Sequence, residues 1–304
     1  MKADMRIDIG DLFLETEVHG DPAARSALIL IQGLGTPLIR WPRALIERLC
    51  DAGLCVICFD NRDIGLSSRM DKLGNPDLKR LRGLNPFAPT FVPVATLPYT
   101  LADMADDTVR LMDALNIREA HVAGASMGGM IAQIVAASQP ARCLSLTSIM
   151  SSSGNPLLPP PTPAALRAMF APLPLGQTEA AIVADSVQRQ KVLMSPAYPT
   201  PDDELTAQFT AEFRRGFHPI GVARQLAALL MGGDRRRMLA GICAPTVVLH
   251  GADDPLIPFA CGRDTAASIP GAEFRIVPGM GHDFPAALAP TFAEAILDAA
   301  RRAE

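Results

Sequence analysis

Six short stretches, SALILIQG, LCVICFD, HVAGAS, CLSLTSIM, TVVLHG and EFRIVPG, are apolar throughout, and each is bounded by glycine, proline or polar residues. A strand without apolar–polar alternation is covered on both faces, so a sheet of such strands needs helices on each side. Amphipathic segments of helical length at 42–52, 101–115, 127–138 and 259–268 lie between the runs. This alternation predicts an α/β chain with a mostly parallel central sheet of about eight strands and flanking helices. The opening residues alternate apolar and polar positions around Gly10 and Asp11, the pattern of a half-solvated hairpin at the sheet edge. Thr100 and Asp103 approximate a capping box before the helix at 101–115.

Two segments interrupt the alternation. Residues 67–99 contain prolines 76, 86, 89, 93 and 98, too many for a helix or a central strand, and predict a long ordered loop. Residues 155–240 open with NPLLPPPTP and then show three or four helical patterns before the sheet resumes at Pro245. We read them as an inserted helical cap, with residues 1–154 and 241–304 forming the core. Within the cap, Leu205, Phe209, Phe213 and Phe217 recur every four residues and form one apolar stripe. Such a stripe either glues the cap to the core or lines a substrate pocket, and Phe209 and Phe213 are its candidates for substrate contact.

At 304 residues, 49% hydrophobic and 20% charged, the chain can bury a large core. A formal net charge of −4 argues against nucleic acid as a partner, and Arg235, Arg236 and Arg237 beside Asp234 read as a solvated helix face. The N-terminus lacks the apolar core of a signal peptide, and nowhere do about eighteen apolar residues run together, so a cytoplasmic protein without membrane contact is expected. Six cysteines are too few for a disulfide framework in a chain this long. Cys55 and Cys58 spell CxxC, but a strand would point them to opposite faces as buried hydrophobes. A homodimer is compatible with this composition, which does not fix the oligomeric state.

Gly124, Ala125, Ser126, Met127 and Gly128 spell GxSxG where a predicted strand meets a predicted helix. The pattern alone is weak, but the context gives it physical content. A serine on a sharp strand-to-helix turn is held in a strained conformation with its hydroxyl above the sheet edge, and side chains two residues away would collide across the turn. The helix N-terminus also directs unpaired N–H groups at a forming oxyanion, the Met127 N–H first. Serine needs a base. His282, in the glycine-rich loop after EFRIV, can hang over the carboxyl edge of the sheet, whereas His19, His121 and His250 suit structural places. His218, in the cap, is a further histidine that could touch substrate. The base needs an acceptor on its other nitrogen, which HGADDPLIP offers as Asp253 or Asp254; Asp254 is preferred because Pro255 rigidifies the loop after it. A second oxyanion donor is expected in ILIQGLG, where Gly33 and Gly35 let the backbone approach the substrate carbonyl and Leu34 donates its N–H.

QGLG, the Trp41-Pro42 pair, FDNRDIGLSS, GASMGGMIAQ, HGADDPLIP and GMGHDFP together resemble the α/β-hydrolase superfamily with an inserted lid, in particular its aclacinomycin methylesterase-like hydrolases and related carboxylesterases. The resemblance covers nearly the whole chain and is weakest in the cap. It implies Ser126 as nucleophile, Asp254 as acid and His282 as base. Two departures stand out: Gln32-Gly33 replaces the His-Gly of many relatives, and Arg62-Asp63 replaces their Arg-Gly. Asp60, Arg62 and Asp63 are expected to brace their loop as ion pairs.

The resulting expectation is a serine hydrolase that cleaves carboxylic esters of apolar small molecules through an acyl-enzyme on Ser126, with no metal or organic cofactor. The same constellation would serve a lactonase, a carbon–carbon bond hydrolase, a perhydrolase or a proline-type aminopeptidase. An aminopeptidase would need cap carboxylates for the substrate amine, for which Asp202, Asp203, Glu204 and Glu212 are the clustered candidates. A non-catalytic ligand-binding protein on the same fold is the alternative of a different class. An epoxide hydrolase or dehalogenase would need aspartate at position 126.

Overall fold

In the computed structural model, which describes residues 2–21, 26–78, 97–170 and 176–303, five of the six uniformly apolar runs are largely buried strands. The reason is visible in β3 (Ser26–Ile31) and β4 (Leu54–Phe59). Ile29, Ile31, Ile57 and Phe59 enter one hydrophobic core, while Leu28, Leu30, Val56 and Cys58 enter a second core on the opposite face. Successive side chains along a strand point to opposite faces, so two cores demand an unbroken apolar run. The same geometry separates Cys55 from Cys58, one thiol in each core, and all six cysteines are free.

With β1 (Lys2–Asp8), β2 (Phe13–His19), β5 (Ala120–Ala125), β6 (Cys143–Ile149), β7 (Thr246–Gly251) and β8 (Glu273–Val277), these strands form one eight-stranded sheet in the order β1-β2-β4-β3-β5-β6-β7-β8. The β1–β2 and β2–β4 pairs are antiparallel and the rest are parallel. The opening hairpin thus reaches the edge with β1, while β2 pairs on both sides. EFRIVPG departs from expectation: β8 closes the other edge and is only partly covered, leaving Ile276 exposed.

Among the described residues the helices are α1 (Arg43–Asp51), α2 (Leu101–Ala114), α3 (Met127–Ser138), α4 (Pro163–Phe170), α5 (Glu179–Leu193), α6 (Asp202–Gly216), α7 (Pro219–Leu230), α8 (Arg236–Leu239), α9 (Phe259–Ser268) and α10 (Ala289–Arg301). Leu45 and Leu49 of α1 join Phe292 and Ile296 of α10 on one face of the sheet, and Met104, Leu111 and Met112 of α2 join Ile131 and Val135 of α3 on the other. The capping box of α2 is formed: the Asp103 N–H donates to Thr100 Oγ1 at 3.2 Å, and the Thr100 N–H donates to Asp103 Oδ2 at 2.7 Å. None of these helices is long and apolar enough to cross a membrane.

Among the described residues, the run from β6 to β7 contains five helices, α4 to α8. Leu205 of α6 packs on Val183 and Val187 of α5, giving these helices a small core of their own. Arg235 corrects the reading of 235–237 as a solvated face. It is buried and donates to the carbonyls of Ser152, Gly232 and Gly233, and burial pushes its pKa down to about 10; of the three arginines, Arg237 is the one that is exposed. Carbonyl acceptors at this return to the sheet need a donor fork, and the arginine supplies it. In the proline-rich stretch 67–99, a short 3-10 turn spans Asp71–Leu73, while prolines 86, 89 and 93 lie outside the described residues.

The crossover from β3 to β4 runs one way along the sheet and that from β5 to β6 runs the other. The carboxyl ends of β3 and β5, paired with Ile31 beside Gly124, therefore diverge into loops on opposite sides and leave a crevice between them.

Candidate active site

Ser126 stands between β5 and α3 with φ 53° and ψ −119°, a backbone conformation that side chains other than glycine avoid. Its surroundings over-determine it. The Ser126 N–H donates to Ile149 O at 2.9 Å, and its carbonyl accepts from the Ser151 hydroxyl at 2.7 Å and from the Gly129 N–H at 3.0 Å. The flanking glycines are sterically required. A Cβ on Gly124 would lie 2.1 Å from the Gly128 carbonyl oxygen, the collision expected from sequence. A Cβ on Gly128 would instead strike the Ile31 carbonyl oxygen of β3, also at 2.1 Å. Both distances are far inside van der Waals contact.

The turn lifts Ser126 Oγ to 3.0 Å from His282 Nε2, and His282 Nδ1 lies 2.7 Å from Asp254 Oδ2. Burial works against the Asp254 carboxylate, but His282 and His250 hold its pKa well below the ordinary value, and its Oδ1 accepts the Leu256 and Ile257 N–H groups at 2.9 and 2.8 Å. An ionised carboxylate can only accept, so the proton sits on His282 Nδ1, and Nε2 is left to accept from the serine hydroxyl. Asp253, the other carboxylate of that loop, accepts the Gly279 N–H at 2.8 Å instead. The structure thus brings together Ser126, Asp254 and His282 from the ends of β5, β7 and β8.

Gly33 follows β3 and lies against Ser126, where an added Cβ would sit 3.2 Å from the serine Cβ. The Gly35 N–H is taken by Gln225 Oε1 at 2.9 Å, and the Gly33 N–H by Gln32 Oε1 at 3.2 Å. The N–H groups of Leu34 and Met127 donate to no described residue of the protein. Two unengaged donors on two neighbouring strand ends are what a developing oxyanion needs.

Above this corner is a cavity of about 330 Å³. Gln32, Gly33, Leu34, Ser126 and His282 line its floor, while Ile182, Val183, Phe209, Phe213, Phe217 and Val222 contribute apolar wall from the helices between β6 and β7. The stripe does not pack on the sheet core as one reading of the sequence had it: Leu205, Phe209 and Phe213 pack against α5, Phe209 and Phe213 also line the cavity, and Phe213 stacks on Phe217 at 5.1 Å. Glu212, a candidate for binding a substrate amine, is held by both guanidinium arms of Arg40, and Asp202 pairs with Lys191 at 2.6 Å.

The remaining histidines are accounted for. His121 contacts Ser145 Oγ, His19 contacts Glu17, and fully buried His250 donates through Nε2 to Ile257 O at 2.7 Å. His218 borders the cavity and lies 3.1 Å from Arg224 Nη2. Asp60, Arg62 and Asp63 are ion-paired, as expected, but their three charged partners all come from helices, 45, 155 and 161 residues away along the chain. Arg62 grips Asp107 of α2 with two 2.6 Å bonds, Asp60 accepts from Arg215 of α6 at 2.9 Å, and Asp63 accepts from Arg224 of α7 twice at 2.8 Å and from Tyr99. Nothing local in the sequence marks Arg215 or Arg224, which look like any helix-surface arginines.

Known proteins fit this arrangement. The chain is 28% identical over 304 residues to rhodomycin D methylesterase DauP of Streptomyces sp. (strain C5), with 94% of each chain covered. It is 30% identical over 292 residues to a protein of Caulobacter sp. (strain K31) provisionally named carbamate hydrolase RutD, with 93% of each covered. In three dimensions it is similar to the enol-lactonase from Burkholderia xenovorans LB400 with TM-score 0.72 and 22% identity, over 97% of this chain and 99% of that one, a likeness of fold. Residues 26–285 match the family model described as alpha/beta hydrolase fold; with a sheet of that architecture, this chain belongs to the α/β-hydrolase family.

Proposed function

We propose that this protein is a serine hydrolase of carboxylic esters whose acyl or alcohol part is apolar, acting through an acyl-enzyme on Ser126. The observation that carries the reading is the hydrogen-bonded chain from Ser126 Oγ through His282 to Asp254, set beneath a largely apolar cavity. Ser126 attacks the ester carbonyl as His282 Nε2 takes its proton, and Asp254 stabilises the imidazolium that forms. The Leu34 and Met127 N–H groups hold the oxyanion. His282 then protonates the departing alkoxide, the alcohol leaves, and a water deprotonated by the same nitrogen releases the acid. The methylesterase relatives support a small alcohol as leaving group.

In this reading α4 to α8 form a cap over the site, and Phe209, Phe213 and Phe217 meet the apolar part of the substrate. Hydrolysis of a panel of methyl and short acyl esters by wild type and Ser126→Ala tests it. Loss of the nucleophile lowers kcat by about 10⁴-fold or more. A variant within about tenfold of wild type would remove Ser126 from the mechanism. Wild type that neither turns over esters nor reacts with a fluorophosphonate at Ser126 would instead support a binding protein on this fold.

A further inference from the structure

The loop that carries His282 is held from outside the sheet by the segment that ends α5 in the helical run between β6 and β7. The His282 N–H donates to Leu193 O at 2.7 Å, and the Ala197 N–H donates to Gly279 O at 3.2 Å. Between these two backbone bonds sits Ser195, fully buried. Its hydroxyl accepts the Gly281 N–H at 2.9 Å and donates to Asp283 Oδ1, and its own N–H donates to the same oxygen at 3.1 Å. The approach is as close as backbone allows. A Cβ on Gly281 would lie 2.6 Å from Leu193 O, and one on Gly279 would lie 2.2 Å from the Cβ of Ala197.

Four hydrogen bonds thus converge on residues 279–283 from residues 193–197, together with the Ser195 hydroxyl bond to Asp283. Asp254 fixes only one nitrogen of the His282 ring, which leaves the backbone beneath that ring to be fixed by something else. We propose that Ser195 is a positioning residue for His282, acting with Asp283 as a clasp that makes the 193–197 segment part of the catalytic apparatus and not only part of a cover. The Ser195 hydroxyl relays the Gly281 N–H to the Asp283 carboxylate, so the residues on both sides of His282 are tied to one side chain. A consequence for the cover follows: the end of α5 cannot lift from the sheet without carrying the base away from Ser126.

The proposal rests on the reading of Ser126 and His282 as nucleophile and base, so the test reports on both. Wild type, Ser195→Ala, Asp283→Ala, Asp283→Asn and the Ser195→Ala/Asp283→Ala double variant are compared on one short acyl ester and in the rate of fluorophosphonate labelling of Ser126. Because a displacement of about 1 Å in a reacting group costs on the order of 100-fold, Ser195→Ala is expected to lower kcat and labelling roughly 10- to 100-fold while KM changes less than about threefold. The double variant is expected to be no worse than the poorer single, since both break one unit. Asparagine keeps an oxygen that accepts both Ser195 bonds, so Asp283→Asn is expected to recover most of the loss seen in Asp283→Ala. If Ser195→Ala does not fold, as read by its thermal melt, the two Asp283 variants carry the test.

Wild-type rates in Ser195→Ala, losses that multiply in the double variant, or an asparagine variant no better than alanine would overturn the clasp. Wild type that fails to label at Ser126 overturns the nucleophile reading and the clasp with it.

Discussion

The turn at Ser126 and the ion pairs at Asp60 and Asp63 hold the same cavity, yet they are built over very different lengths of chain. The steric demand of the turn falls within Gly124 to Gly128 and on the end of β3, with hydrogen bonds from Ser126 to Ile149 and Ser151 beside it. Asp60 and Asp63 reach 155 and 161 residues along the chain to Arg215 and Arg224. The first is a steric device whose requirement is written in residue size. The second is an electrostatic device that exists only once α6 and α7 lie over the sheet. A buried carboxylate without its cation is strongly unfavourable, so these pairs make the placement of the helices and the integrity of the β4 loop a single condition.

The sharpest way to break this comparison is to damage each side separately. In Gly128→Ala the added methyl must displace either the turn or β3, and esterase activity is expected to fall by at least about 100-fold as Ser126 loses its alignment with His282. Near wild-type kcat in a folded Gly128→Ala protein would show that the turn tolerates a side chain. Arg224→Met strands Asp63, whose pKa is held down, against the pull of burial, by Arg224, the Met70 N–H and Tyr99. Stability is expected to drop by about 3–5 kcal/mol in a denaturant titration, while kcat at low temperature stays within about tenfold of wild type. If activity collapses while stability holds, the brace acts on the chemistry.

Smaller effects sharpen the division. Phe213→Ala removes apolar wall and is expected to raise KM for a long acyl ester about tenfold with a lesser change in kcat, whereas a short acyl ester is little affected. Equal losses on both esters would place Phe213 in packing alone. The smallest effect is at His218. Burial first, then the repulsion of Arg69 and Arg224, hold its pKa below the ordinary value, against the attraction of Asp71 and Asp63. The unfolded chain then binds a proton that the folded chain resists. Stability is therefore intact above the unfolded value of about 6.5 and declines as the pH falls from there through the folded pKa. His218→Asn is expected to flatten that acid limb in thermal melts taken on the acid side of neutrality. An unchanged slope would assign the acid sensitivity to other groups.

Much of this molecule could be read before any fold was known, and the reason differs from place to place. The buried strands were legible because a strand between two cores has no polar position to spare, as Leu28 to Ile31 show. β8 misled for the same reason in reverse: an apolar run reads as covered, but an edge strand has a neighbour on one side only. Ser126 was legible because its glycines are a local steric demand. Pro255 favours Asp254 over Asp253 from sequence, and the fold separates the two by their partners, His282 for one and the Gly279 backbone for the other. Arg235 is not legible locally, because a run of arginines looks solvated until the fold brings the carbonyls of Ser152, Gly232 and Gly233 around one of them.

By itself, the sequence determined the sheet with helices on both faces, the strained serine turn, and the strand ends after which Ser126, Asp254 and His282 lie, because each depends on side-chain size, periodicity or strand ends that neighbouring residues define. Only the tertiary structure decided which helix cations neutralise Asp60 and Asp63, which side chains of α4 to α8 reach the cavity, and that Ser195 grips the loop of His282. Those are contacts between segments far apart in the chain, and the free energy that selects them arises only when both partners leave water together.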